Sequence, residues 1–68
     1  MVEVFRTNID DRFVAEEIRQ LLLDRLPDCK VNFDLEDCDK VLRIEGIVSS
    51  AAVIELVKEH KYLCEVLE

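Results

Sequence analysis

The sequence predicts an α+β sandwich in which a four-stranded antiparallel sheet carries two helices on one face. Apolar residues recur near the 3.6-residue helical period from Phe13 to Leu26 and again from Val53 to Val57. Between these stretches, VNFDLEDCDKVLRIEG (31–46) reads as two alternating strands joined by an acidic turn. Short strand-like runs, VEVF and LCEVL, open and close the chain. The resulting βαββαβ order fills all 68 residues as one domain, and that order is the split-βαβ or ferredoxin-like unit.

In the first strand Val2 and Val4 share one face while Glu3 and Phe5 share the other, because side chains alternate across the pleat. Val2 and Val4 are expected to face the helices. The first helix follows with Phe13, Val14, Ile18, Leu21, Leu22 and Leu26 as its apolar stripe and Asn8 or Asp10 as its cap. Pro27 ends it, since a proline disfavours helical geometry in the residue before it. The second strand sets Val31, Phe33 and Leu35 against Lys30, Asn32 and Asp34, and the third sets Leu42 and Ile44 against Val41, Arg43 and Glu45. Gly46 closes the hairpin. Ser49 or Ser50 caps the second helix, whose stripe is Val53, Ile54, Leu56 and Val57.

Right-handed crossovers put both helices on one face of the sheet and leave the other uncovered. By alternation that open face is expected to hold Glu3, Phe5, Lys30, Asn32, Asp34, Val41, Arg43 and Glu45, joined by Leu63, Glu65 and Leu67 if Cys64 and Val66 point inward. Its mixture of Phe5, Val41, Leu63 and Leu67 with charges suits weak pairing with a protein partner or with a second copy.

Composition narrows the function further. With 16 acidic against 9 basic residues the formal net charge is −7, which repels phosphate backbones and anionic membranes and argues against nucleic-acid or membrane partners. No apolar run approaches the ~18 residues of a membrane span, and no signal segment opens the chain. A cytoplasmic location is the expectation. Cys29, Cys38 and Cys64 are an odd number at wide spacings, which fits free thiols rather than a disulfide framework. One histidine, no serine-histidine-acid order and no glycine-rich phosphate loop give no assembled catalytic group, so no enzyme activity is expected.

Leu26-Pro27, VNFDLED, VLRIEG and VIELVKEHKYLCEVL together resemble the heavy-metal-associated domain, across essentially the whole chain. That family includes small copper chaperones and the N-terminal modules of metal-transporting P-type ATPases. The resemblance implies the same fold and a Cu(I) site made by a CxxC pair in the loop after the first strand, where soft thiolates suit Cu(I). Arg6 to Ala15, the corresponding stretch here, contains no cysteine. Lys61 stands where the family usually has a glycine, and Tyr62 matches its aromatic residue. The leading expectation is therefore a non-enzymatic, heavy-metal-associated-like domain that has lost its metal site, holds no cofactor and works through protein contacts.

Two other readings come from the end of the domain that gathers the first loop, the hairpin turn and the end of the second helix. A noncanonical copper or zinc site would draw on Cys38, His60, Asp10 and Asp11, completed in one version across a dimer. Against it, acidic hairpin turns arise from local side-chain bonding alone, and Cys38 and His60 are expected to lie too far apart to share an ion. His60 fits as a complement to the end of the second helix, and Asp10 and Asp11 as complements to the start of the first. A thiol-redox role would use Cys38 as the exposed thiol. Carboxylates flank it, unlike the electropositive surroundings of reactive cysteines.

Overall fold

The chain forms β1 (Val2–Thr7), α1 (Arg12–Arg25), β2 (Lys30–Asp34), β3 (Val41–Glu45), α2 (Ser50–Glu59) and β4 (Cys64–Val66) in a computed structural model that describes residues 1–67. All strand pairings are antiparallel and the sheet order is β2-β3-β1-β4. No described helix is long and apolar enough to cross a membrane.

Local chemistry starts and stops the helices. Asp11, rather than Asn8 or Asp10, caps α1: its Oδ1 accepts the N–H groups of Phe13 at 2.7 Å and Val14 at 3.3 Å. Ser49 caps α2, accepting from the N–H of Ala52 at 3.4 Å. At the far end of α2 the N–H of Tyr62 reaches Val57 O at 3.4 Å and that of Lys61 reaches Lys58 O at 2.9 Å, the two bonds of a Schellman ending. That ending needs a left-handed residue, and Lys61 takes it at φ 72°. Lys61→Gly is therefore expected to raise stability by about 0.5–1 kcal/mol, because glycine adopts this geometry without the Cβ penalty. The check is a urea melt, in which an unchanged or lower midpoint would count against this reading.

Both helices and one face of the sheet meet in a single core. Ala15, Ile18 and Leu22 of α1 and Val53, Leu56 and Val57 of α2 pack with Phe5, Val31, Leu42, Ile44 and Cys64. Leu42 lies opposite Phe5 on one side and Phe33 on the other, so these three side chains share the helix-facing side. Phe5 is thus in the core at 0% exposure, not on the open face. The apolar residues of β1 occupy both parities, and pairing with β3 decides between them. Phe5, Thr7 and, beyond the strand, Ile9 are all buried, whereas Val2 is 53% exposed and looks outward with Val4 and Arg6.

Phe13 also departs from the expected stripe, at 87% exposure. At 100° per residue it falls nearly opposite the Ala15, Ile18 and Leu22 direction, so one aromatic in the first turn cannot reach the core these three define.

Candidate functional site

Three connections meet at one end of the sheet, and hydrogen bonds hold them together. The N–H of Thr7 donates to Asp39 O at 3.1 Å, and its buried hydroxyl donates to Lys40 O at 2.6 Å while accepting the N–H of Ile9 at 3.2 Å. Asn8 joins the third connection, its Oδ1 accepting the N–H of Leu63 at 2.9 Å. Thr7 and Asn8 thereby tie β1 to both the hairpin turn and the segment after α2. Among the described residues no buried side-chain nitrogen or oxygen lacks a hydrogen-bond partner.

The hairpin turn is ordered by its own acids. Asp34 Oδ1 accepts the N–H of Glu36 at 3.2 Å, and Asp37 Oδ1 accepts that of Asp39 at 2.9 Å. Lys40, left-handed at φ 48°, donates from Nζ to Leu35 O at 3.0 Å and closes the turn. Asp37, Cys38 and Asp39 place one ligand atom each within 4.8 Å of one another, the only such group of three among the described residues. His60, Asp10 and Asp11 are not in it. Asp11 is committed to capping α1, and His60 is the exposed C-cap of α2.

This group does not reproduce the chemistry that the family resemblance implies. One thiol with two carboxylates on consecutive residues mixes soft and hard donors, whereas Cu(I) selects soft ones. The β1–α1 connection, where the family that the sequence resembles carries its thiolate pair, here offers Asn8, Asp10 and Asp11, and two of these already serve the fold.

The open face is better defined. Across the strands Glu65, Arg6, Val41 and Asp34 lie in one row, with an Arg6–Glu65 ion pair exposed to solvent. In the next row Val4 stands between Arg43 and Leu67, whose N–H donates to Val4 O at 2.8 Å. Val2 lies two residues along β1, on the same side. Of the four residues expected to form an interaction face, Phe5 is in the core and Val41 keeps the open side but is buried at 5% exposure. Leu63 lies before β4 at the loop end, 41% exposed, and Leu67 is half-buried beside Val4. Val2 and Val4 take the place assigned to Phe5. The signal in the sequence was the run Phe5-x-Thr7-x-Ile9, whose parity continues past the first four strand residues.

Comparison with protein-family models, curated proteins and solved structures finds no match to this chain.

The three thiols are unpaired, with Cys38 exposed and Cys29 and Cys64 buried. Burial, aided by Glu65 and opposed by Lys58, pushes the Cys64 thiol from 9.0 up to about 11. The folded chain then holds a proton that the unfolded chain releases above pH 9, so this contribution is intact below that value and is lost as pH rises toward 11. Stability is expected to fall by about 2 kcal/mol across that window. Urea melts of the parent and of Cys64→Ala at pH 8 and pH 10.5 check it; equal losses in both proteins would remove Cys64 as the cause.

Proposed function

We propose that this domain is a non-enzymatic protein-interaction module that binds through its open sheet face rather than by carrying metal. The carrying observation is the cluster of Val2, Val4 and Leu67 among charged side chains on the uncovered side of the sheet. Small apolar groups framed by Arg6, Arg43, Glu45 and Glu65 give burial at the centre and charge selection at the rim, the layout of a transient interface. A net charge of −7 favours a protein partner with basic groups over nucleic acid or an anionic membrane. Unpaired cysteines suit a reducing compartment, and we assign the domain to the cytoplasm.

One observation favours a second reading, metal binding at Cys38: the proximity of its thiol to Asp37 and Asp39. Two measurements separate the readings. Proteins captured by the parent chain are compared with those captured by Val4→Glu and Leu67→Glu, with melting curves confirming that both variants fold. Loss of the same captured protein in both variants supports the interface. In parallel, the reduced chain is titrated with Zn²⁺ and with Cu(I). Submicromolar one-to-one binding that disappears in Cys38→Ala would overturn the interface reading in favour of metal carriage.

A further inference from the structure

β2 is an edge strand, and the hydrogen-bond register shows which of its backbone groups face outward. The N–H of Gly46 donates to Met1 O at 2.8 Å, so alternate residues of β3, Ile44 and Leu42, also turn toward β1. Val41, Arg43 and Glu45 then turn toward β2 and meet Asp34, Asn32 and Lys30. The N–H and C=O groups of Val31 and Phe33 are left pointing away from the sheet. Arg19 supplies independent support, since its Nε reaches Val31 O from outside at 2.8 Å. A groove of about 420 Å³ runs between α1 and this edge, lined by Ala15, Glu16, Arg19, Phe33 and Leu35 among others.

We propose that two copies of this chain pair antiparallel through their β2 edges, with Asn32 set against Asn32 of the partner subunit. In this register Val31 and Phe33 of the partner subunit exchange backbone hydrogen bonds, and the two-fold axis repeats the exchange. Lys30 meets Asp34 of the partner subunit on the open face, and that pair also occurs twice. Both residues are exposed and have the same parity as Asn32, so KVNFD is complementary in charge to its own reverse. Sliding by two residues in one direction sets Asp34 against Asp28 of the partner subunit. Sliding the other way sets Lys30 against Glu36 of the partner subunit, beyond the end of its β2, and leaves only Asn32 to Asp34 paired within the strands. Charge disfavours the first slide and loss of paired strand length disfavours the second, so the two together select one register from those that the backbone allows.

Arg19 does not close the edge. A carbonyl oxygen has two lone pairs, so Val31 O can accept the partner's N–H beside Arg19 Nε. The groove between α1 and β2 has room for the helix-facing side chains of an added strand, Val31 and Phe33 of the partner subunit. The product is a continuous eight-stranded sheet with all helices on one side, which joins the two open faces into one surface. This pairing stands apart from the proposed partner-binding role, and either holds without the other.

Few bonds and a small area make this a weak association, visible as a rise in mean mass with concentration in sedimentation equilibrium. Lys30→Asp or Asp34→Lys alone opposes like charges twice and is expected to weaken association at least about tenfold. The double variant restores opposite charges and should return association close to that of the parent. Asn32→Cys in a Cys38→Ser background gives a second readout. Residues facing each other at a non-hydrogen-bonded position stand about 4.5 Å apart at Cα, within disulfide range, so mild oxidation should cross-link the variant in high yield. Circular dichroism confirms the fold of each variant. A chain that stays monomeric at about 1 mM, a double variant no better than the singles, or no cross-link at position 32 would each overturn the proposal.

Discussion

Phe5→Ala is expected to lower the unfolding free energy by about 3–5 kcal/mol, the usual cost of deleting a fully buried aromatic ring. Phe5 is 0% exposed, at the centre of a sheet row with Leu42 and Phe33, and packs in the same core as Ile18, Leu22 and Val57. A domain of 68 residues holds only ~3–5 kcal/mol of net stability, so this one truncation should leave the native state barely populated at 25 °C. The opposite placement of Phe5 predicts a different result. An exposed phenylalanine on an interaction face costs no more than about 0.5 kcal/mol when removed and affects binding alone. Urea denaturation followed by circular dichroism decides between them. A variant with a parent-like midpoint would return Phe5 to the surface and reverse the strand's register against β3.

The contrast between β1 and the central hairpin shows what the sequence made legible. In β2 and β3 one parity is apolar and the other mostly polar, so the faces of Val31, Phe33, Leu42 and Ile44 can be read from alternation alone. In β1 Val2, Val4 and Phe5 occupy both parities, so the first four strand residues leave the face open; the continuation through Thr7 and Ile9 points to the parity that pairing with β3 adopts. The helix caps divide in the same way. Ser49 stands beside one competitor, whereas Asn8, Asp10 and Asp11 all offer capping oxygens within four residues; Asp11 takes the role because it directly precedes the first helical residue, Arg12, while Asn8 is engaged by Leu63. That bond spans 55 residues of sequence, and no local pattern encodes it. The candidate site fared likewise. The exposed, acidic setting of Cys38 and the inward direction of Cys64 follow from turn chemistry and alternation. The separation of His60 from Cys38 follows from the strand order and was expected, whereas that of Asp10 and Asp11 from the Cys38 group depends on how the three connections are tied together at the loop end.

A second large effect is expected at the opposite end of the sheet, where Gly46→Ala should cost about 3 kcal/mol from two additive causes. Gly46 adopts φ 137°, a region open essentially to glycine, and a non-glycine residue held there is strained by about 1–3 kcal/mol. The added methyl would also meet Cys29 Sγ at 2.7 Å and Cys29 Cα at 3.4 Å. The thiol is buried and the backbone atom cannot swing aside, so overpacking adds about 1–3 kcal/mol. Relaxation of the backbone to a more ordinary φ is resisted by the bond from Gly46 N–H to Met1 O at 2.8 Å, which anchors the end of β3 to the start of β1. The two causes can be separated. Cys29→Ala removes the sulfur that the new methyl strikes but leaves the φ requirement untouched. The double variant should therefore be more stable than the summed single losses by about 1 kcal/mol, a coupling expected only for groups in contact. Strict additivity would assign the whole cost to backbone strain, and a Gly46→Ala loss below about 0.5 kcal/mol would mean that the loop yields and that neither constraint holds.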